Sequence, residues 1–267
     1  VDLSNWKVHL IGEIDPSFNT FIDSFFEENK NLKDKVIFHG NISSRREIYE
    51  YYSKSKIFCM SSRYEGFPLV YPEVIYFGNY IFTTDVSGAK DITDNEKYGT
   101  IVKKFSEEEY SKKLSEKKRE LLFDEIIENS YYHIVFKSAK QIDDMGISAC
   151  LKQSINEIIE KLTPNADEFL MDGNTSLGIS NLQHKIKADA TIKEVSAASI
   201  LAKVSRDRYM CKIASNYSVY DFEKHKGYGT KAHVEKIKEH GRSDEHRYTF
   251  RLKSLGEEKI GTQKNLF

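Results

Sequence analysis

Two aspartates in the second half of the chain, Asp172 and Asp189, have a setting that suits a metal site. Asp172 follows Glu168–Met171, an apolar run that favours a buried strand, and Asp189 ends a second extended stretch, Ile186–Asp189. Carboxylates at the ends of adjacent strands can share a hard cation such as Mg²⁺ or Mn²⁺, which activates water for phosphodiester hydrolysis. Taken alone, Asp172-Gly173-Asn174 is more simply explained as a turn, because Asp-Gly is a strong turn signal.

Two glutamates in the first half, Glu65 and Glu73, could carry a different chemistry. Glu65 follows a predicted strand, Ile57–Met60, and Glu73 lies in a predicted helix, Pro68–Phe77, with Gly78 as its stop. Loops at the carboxyl ends of parallel strands bind ligands in α/β folds, and two carboxylates there could accept hydrogen bonds from sugar hydroxyls. On spacing alone, one loop charge and one helix-surface charge are the simpler explanation.

The elements that must position these glutamates alternate between strand and helix. The apolar runs predict strands at Lys7–Ile11, Val36–Phe38, Ile57–Met60 and Tyr80–Thr83. The apolar residues from Phe21 to Phe26 recur with helical spacing, and Ser43 or Ser44 could cap a helix that runs through Tyr52. Strands that alternate with helices predict a parallel α/β sheet.

The second half is predicted to be α/β as well. The predicted elements are a charged helix at Ser115–Ile127, a strand at Tyr132–Phe136, an amphipathic helix from Ile147 to Leu162, a helix at Ser196–Met210 and a loop at Gly227-Tyr228-Gly229. No repeat or Pro-rich linker separates the halves, so the charged stretch Lys103–Arg119 is the candidate boundary.

Composition places the chain among folded proteins of ordinary charge. Its 267 residues are 39% hydrophobic and 12% aromatic, which excludes a disordered chain. The net charge is −1, made up of −5 over residues 1–110 and +4 over residues 111–267, so nucleic-acid binding by the second half is permitted without being indicated. The three cysteines form no CxxC pair, and no apolar run approaches the ~20 residues of a membrane span. We therefore expect a cytoplasmic protein with reduced thiols.

Several motifs in residues 111–267 closely resemble ribonuclease HII. They are Ser111-Lys112-Lys113-Leu114-Ser115-Glu116-Lys117-Lys118-Arg119, Lys187-Ala188-Asp189, the run from Ser196 to Asp207, His225-Lys226-Gly227-Tyr228-Gly229-Thr230 and His246-Arg247. The resemblance extends from Ser111 to about Phe250. It implies an RNase H-like nuclease that cuts RNA in RNA–DNA hybrids, including single ribonucleotides in duplex DNA, with Mg²⁺ or Mn²⁺.

The resemblance also implies roles for individual residues. Asp172 and Asp189 match two of the family's four acidic residues, as catalytic metal ligands. Tyr228 matches the tyrosine that packs at the ribonucleotide and helps to sense its 2′-OH, the group that separates RNA from DNA. Lys112 and Lys113 fall where the family contacts phosphate, although a solvated helix start explains them equally well.

One departure from the ribonuclease HII pattern concerns the other two acidic residues. The family supplies them as an Asp-Glu pair in a motif that continues with Gly-Arg-Gly. Here Asp124-Glu125, Asp167-Glu168 and Asp244-Glu245 all lack that continuation, and residues before Ser111 have a different character. We therefore expect an incomplete RNase H-like domain with half of its metal site and an activity that is absent or weak.

Residues 1–110 resemble the donor-binding half of retaining GT-B glycosyltransferases. The resemblance rests on Ile57–Met60 with the following Ser61–Pro68, on Val36–Asn41 and on Gly78–Asp85. It implies a truncated, Rossmann-like C-terminal GT-B domain that binds a nucleotide sugar, with Glu65 at the donor sugar, Glu73 at the ribose and Gly12 at the diphosphate. The family's diphosphate-binding Arg and Lys and its acceptor domain are not found here, and Asp91 stands where the family more often has Glu.

Three interpretations of the whole chain stay open. The first is a ribonuclease HII-type endonuclease that is impaired, with domains at residues 1–110 and 111–267. The second is a nucleotide-sugar-binding fragment of a glycosyltransferase. The third is a non-functional chimera in which two truncated reading frames are joined between Tyr110 and Ser111. DNA amplified across those two codons would test the third interpretation.

Overall fold

The computed structural model describes residue 3 and residues 6–65, 68–103 and 106–252. Its internal contacts divide the chain into two compact units, Val1–Lys118 and Arg119–Phe267, which we call the N-terminal unit and the C-terminal unit. No helix in the described part of the chain is long and apolar enough to cross a membrane.

The N-terminal unit alternates strands and helices. Its elements are β1 (Val8–Ile11), α1 (Asn19–Glu28), β2 (Val36–Gly40), α2 (Arg45–Lys54), β3 (Ile57–Met60), α3 (Val70–Tyr76), β4 (Tyr80–Thr84), α4 (Ala89–Ile92) and β5 (Gly99–Val102). Strand β1 pairs with β2, and β4 lies between β3 and β5; all of these pairings are parallel. The prediction of an α/β fold with parallel strands is confirmed.

The core of the N-terminal unit forms where α3 packs on β4. Tyr71 and Val74 of α3 and Ile81 of β4 are completely buried. The Tyr71 hydroxyl lies 2.6 Å from the Thr83 hydroxyl, so this buried polar group has a partner. The helix ends at Tyr76 because Gly78 takes a left-handed backbone conformation, with φ of +76°.

Helix α5 (Glu107–Asn129) extends well beyond the predicted Ser115–Ile127. Three glutamates, Glu107 to Glu109, occupy its first turn, where negative charge offsets the positive end of the helix dipole. The Ser106 hydroxyl accepts the backbone N–H of Glu109 at 3.3 Å and caps the start. The helix continues without a break through Tyr110 and Ser111.

The C-terminal unit is mainly helical and contains one small sheet. Its elements after α5 are α6 (Ala139–Met145), α7 (Ile147–Leu162), β6 (Leu170–Asp172), β7 (Gln183–Lys185), α8 (Lys193–Ala214), α9 (Phe222–His225) and α10 (Lys231–His240). The predicted helices over Ile147–Leu162 and Ser196–Met210 are confirmed, the second as part of the longer α8. Strands β6 and β7 pair in parallel.

Two strand predictions for this unit are wrong. Residues 131–138 carry no regular secondary structure, because no strand in the described ranges pairs with the predicted Tyr132–Phe136. Ile134 packs on the cluster around Phe123 instead, while Phe136 is 54% exposed. The predicted extended stretch Ile186–Asp189 also fails: Lys187 takes a left-handed conformation, and Ala188–Ala190 forms a 3₁₀ turn.

The core at the C-terminal end of this unit includes three buried histidines, His225, His233 and His246. Their rings lie around the buried Phe222, with centroid distances of 5.9, 5.7 and 5.4 Å. Burial lowers the pKa of His233 below its ordinary value and lowers the pKa of His246 to about 4, because a charged ring is poorly solvated there.

We predict that the C-terminal unit loses stability as the pH falls from 6.5 to about 4. The unfolded chain, with the ordinary histidine pKa of 6.5, binds a proton in this window that the folded His246 does not bind. The contribution of His246 is therefore fully present above pH 6.5 and declines below it, by on the order of 3 kcal/mol at pH 4.

Urea unfolding at pH 7 and at pH 4.5 checks this prediction. His246→Gln keeps an N–H donor but does not titrate, so the difference in unfolding free energy between the two pH values should be smaller in this variant. An equal pH dependence in wild type and His246→Gln would contradict the assignment.

Candidate nuclease site

The small parallel sheet of the C-terminal unit places Asp172. Asp172 is the last residue of β6 and stands opposite Lys185 of β7. The carboxyl ends of β6 and β7 therefore lie side by side, and the loops that follow the two strands both begin there. Gly173 comes next with φ of +154°, a conformation that favours glycine, and the chain turns away from the sheet there.

A hydrogen bond joins Asp172 to the turn that carries Asp189. The backbone N–H of Ala188 donates to Oδ1 of Asp172 at 2.9 Å. Ala188 is completely buried and precedes Asp189 in the 3₁₀ turn, so packing around Ala188 fixes the position of this turn. The structure thus places the turn that contains Asp189 at the end of β6. Asp189 lies in a 3₁₀ turn and not at the end of a strand as predicted.

Carboxylates are ligands that a hard divalent cation prefers. Asp172 is exposed and Asp189 is half-buried, so both side chains are within reach of solvent. Mg²⁺ is commonly held by one or two carboxylates, with water and substrate phosphate completing its shell. Within the described residues, no group of three or more histidine, cysteine or acidic side chains is arranged to hold a metal.

Tyr228 lies in the loop after α9 and is 58% exposed. The loop turns at Gly227, whose φ is +79° and where an added Cβ would lie 3.2 Å from the Met210 side chain. Arg206 of α8 holds the tyrosine: its Nη1 donates to the phenol oxygen at 2.6 Å, and its guanidinium lies 4.7 Å from the ring centre. Asp207 in turn accepts two hydrogen bonds from Arg206.

This contact with Arg206 was not predicted from the sequence. Arg206 lies inside the run Ser196–Asp207 that resembles ribonuclease HII, but its separation from Tyr228 along the chain gave no indication that the two side chains meet. A pairing of this kind depends on how α8 and the loop after α9 are packed.

The two lysines predicted to contact phosphate belong to the other unit. Lys113 donates from Nζ to the backbone oxygen of Ile101 at 3.0 Å and lies 3.7 Å from a Glu109 carboxylate oxygen. Lys112 is exposed on the same helix, α5. Asp172, Asp189 and Tyr228 are thus brought into one unit, and Lys112 and Lys113 are in the other.

The residues predicted to bind a nucleotide sugar lie in the N-terminal unit. Gly12 follows β1 with φ of +135°, and its N–H donates to the Gly40 oxygen at 2.8 Å. Glu65 accepts a hydrogen bond from the Ser62 hydroxyl at 2.8 Å. Glu73 forms an ion pair with Arg45 of α2, and this pairing raises the pKa of Arg45. Gly66 and Phe67 of the same motif lie outside the described residues.

Comparison with protein families identifies both halves. The glycosyl transferases group 1 model matches residues 2–131, and the ribonuclease HII model matches residues 100–253. The two matches overlap in the region of β5 and α5. The predicted resemblance of each half to its family is therefore confirmed, and the fold combines a GT-B-like part with an RNase H-like part.

Three curated ribonucleases HII match the second half of the chain. The ribonuclease HII of Aliarcobacter butzleri is 68% identical over 157 residues, which are 59% of this chain and 82% of the relative. That of Sulfurovum sp. is 52% identical over 55% of this chain and 77% of its own length. A ribonuclease HII of Campylobacter jejuni is 54% identical over 53% and 74%, respectively. With most of these relatives covered at such identity, the chain belongs to the ribonuclease HII family.

Proposed function

We propose that the C-terminal unit is a ribonuclease HII-type endonuclease that acts on RNA–DNA hybrids and on duplex DNA containing a ribonucleotide. The observation that carries the proposal is the hydrogen bond from the Ala188 amide to Asp172, which holds the turn that contains Asp189 at the end of β6. Family membership indicates the class of reaction, and Asp172 and Asp189 are the residues at which we propose that it takes place.

Asp172 and Asp189 would hold a divalent cation, Mn²⁺ or Mg²⁺. Bound there, the cation would supply activation of water and neutralisation of the charge that develops on the phosphate. The chain's own part is to hold both side chains in place: Asp172 by the Ala188 amide, and Asp189 by its position in a turn that contains the buried Ala188.

Tyr228 would read the ribonucleotide. An exposed aromatic ring can pack on a sugar, and the 2′-OH is the group by which a protein distinguishes RNA from DNA at a given position. The Arg206 guanidinium restricts the motion of the ring and places a positive charge at the same surface, where a phosphate would be attracted. Lys112 and Lys113 remain candidates for phosphate contacts.

We propose that the activity is weak. Two carboxylates suffice for one cation, whereas the family uses four acidic residues, and none of the chain's Asp-Glu pairs continues with Gly-Arg-Gly. The reaction would then lack the second pair of acidic ligands, and with it the hold on a second cation that would stabilise the charge on the leaving oxygen. We place the division between the two functions at residues 110 and 111 and the protein in the cytoplasm.

We predict slow, metal-dependent cutting of a duplex that carries one ribonucleotide. Asp172→Asn and Asp189→Asn should each reduce the single-turnover rate by roughly 100-fold, because each removes a negative ligand of the cation. Asp167→Asn is the matched control, since it makes the same change at an exposed position just before β6. Gel analysis of the cleaved strand, with Mn²⁺ and with EDTA, measures the rate.

Two outcomes would count against the nuclease assignment. The first is the absence of any cutting by well-folded protein at enzyme excess. The second is equal cutting by wild type and Asp172→Asn, which would indicate a contaminating nuclease.

A second candidate function is nucleotide-sugar binding by the N-terminal unit. The match of residues 2–131 to group 1 glycosyl transferases favours it. Glu65 and Glu73 both lie beyond the carboxyl end of β3, where parallel α/β folds bind their ligands. Because Glu73 is paired with Arg45, a ribose that binds there would have to share or displace this partner.

We predict saturable binding of a nucleotide sugar that Glu73→Ala weakens by about tenfold or more, the usual loss when a charged hydrogen-bond acceptor is removed. Glu50→Ala is the control, because Glu50 lies exposed on α2 and contacts Lys54 only loosely, at 3.9 Å. Calorimetric titration with UDP-glucose and GDP-mannose tests the prediction, and no binding at millimolar ligand would contradict it.

The third interpretation, a chimera without function, is distinguished by these two experiments together. A folded chain that neither cuts the duplex nor binds a nucleotide sugar is the result that this interpretation predicts. Amplification across the codons for Tyr110 and Ser111 from the source DNA decides separately whether the join exists in the genome.

A further inference from the structure

The three buried histidines of the C-terminal unit are connected to the backbone of the Tyr228 loop. His233 Nδ1 lies 2.9 Å from the Tyr228 carbonyl oxygen, which can only accept, so Nδ1 carries the proton. The neutral ring then has an accepting Nε2. That atom lies 3.0 Å from Nε2 of His246, which must therefore donate.

The chain of hydrogen bonds ends at Ser243. With its proton on Nε2, the neutral His246 ring has an accepting Nδ1, and the Ser243 backbone N–H donates to it at 3.0 Å. The Ser243 hydroxyl lies 2.7 Å from the same nitrogen and can donate as well. One direction of donation thus runs from Ser243 through His246 and His233 to the Tyr228 carbonyl.

His225 connects to the same loop from its other side. Its Nε2 donates to the Tyr220 carbonyl at 2.6 Å, and its Nδ1 accepts the Gly227 N–H at 3.2 Å. The ring stacks on His233, with centroids 3.9 Å apart. We call His225, His233 and His246 the histidine relay.

The relay requires neutral rings. An added proton on His233 Nε2 would set two N–H groups against each other across the 3.0 Å contact with His246. An added proton on His246 Nδ1 would in the same way face the Ser243 backbone N–H. The groups whose charge acts on His246 are His233, Arg242 and His225, all of them cationic when charged. From the neighbouring elements, the centre of the Tyr220 ring lies 4.9 Å from that of His246 and 6.2 Å from that of His240.

We propose that the histidine relay positions Tyr228 for ribonucleotide recognition by fixing the main chain of its loop, while Arg206 fixes the phenol. This inference rests on the proposed nuclease function. His233 and His246 are positioning residues, since they contact the loop and not the substrate. The Tyr228 carbonyl also accepts the Thr230 N–H at 2.8 Å, so loss of the relay should loosen the loop without unfolding it.

Two pairs of variants separate the donor function from simple packing. His233→Asn can keep an N–H near the Nδ1 position, and His246→Gln can keep one near Nε2, whereas His233→Leu and His246→Leu remove the donor. His133→Leu is the control, because His133 belongs to the same unit and contacts Glu157, at 2.9 Å.

The experiment uses the full chain at pH 7.5 and has two readouts. The first is amide hydrogen exchange of residues 226–230, measured by mass spectrometry without nucleic acid. The second is the ratio of affinities, in Ca²⁺, for a duplex with one ribonucleotide and for the same duplex made entirely of DNA.

We expect faster amide exchange in the loop for the leucine variants at His233 and His246. The ratio of affinities for the two duplexes should fall about tenfold in these variants, which is the effect of losing one buried hydrogen bond. The Asn, Gln and His133→Leu variants should keep both properties. Leucine variants with unchanged loop exchange, or amide variants that fail as the leucines do while remaining folded, would overturn the proposal. If wild type shows no preference, the proposed function fails, and loop exchange alone decides whether the relay holds the loop.

Discussion

The hydrogen bond from the Ala188 amide to the Asp172 carboxylate is the contact on which the proposed nuclease site depends. Strands β6 and β7 have three residues each, and a two-stranded ladder of that length has little stability of its own. The ladder is supported by the buried cluster of Ile159, Ile179 and Leu182, on which Met171 of β6 packs. The position of the acidic residues is therefore determined by packing beneath the sheet as much as by the sheet itself.

Helix α5 shows how one element can join sequences of two families. Family matches from both sides cover it, and it begins with a run of glutamates and continues with residues of high helix propensity. Since local propensity does not depend on the family from which a segment derives, the helix passes through Tyr110 and Ser111. Its first half packs within the N-terminal unit, where the Lys117 ammonium lies 3.7 Å from the centre of the Tyr80 ring.

This packing bears on the lysines assigned to phosphate. The Lys113 ammonium donates to the Ile101 carbonyl and forms an ion pair with Glu109. A lysine held in this way must give up those contacts to bind a duplex, which lowers the gain from binding. The ribonuclease HII motif at residues 111–119 is therefore retained in sequence, while its surroundings are those of the N-terminal unit.

Elements with a strong local signal could be predicted from the sequence. The strand Ile57–Met60 was predicted with its observed limits, and the Ser44 cap, which accepts the Glu47 N–H, was one of two serines proposed. Predictions failed where the structure depends on distant partners. Tyr132–Phe136 has the composition of a strand but has no strand to pair with among the described residues, and Lys187 adopts a left-handed conformation that its residue type does not indicate.

The residues of the candidate site also divide into those that local sequence predicts and those that depend on distant partners. Asp172, Asp189 and Tyr228 were identified because they lie in continuous motifs. The contact of Arg206 with Tyr228 and the order of donation through His246 and His233 depend on tertiary packing and on which nitrogen carries each proton. Neither property can be inferred from spacing along one chain.

We propose that Asp172 and Asp189 together form one site for a divalent cation. Electron paramagnetic resonance of free Mn²⁺, titrated with the full chain in the absence of nucleic acid, tests it most directly. We expect wild type and Asp167→Asn to remove Mn²⁺ from solution equally, and Asp172→Asn and Asp189→Asn each to bind Mn²⁺ about tenfold more weakly or worse. Equal Mn²⁺ binding by all four proteins would contradict it.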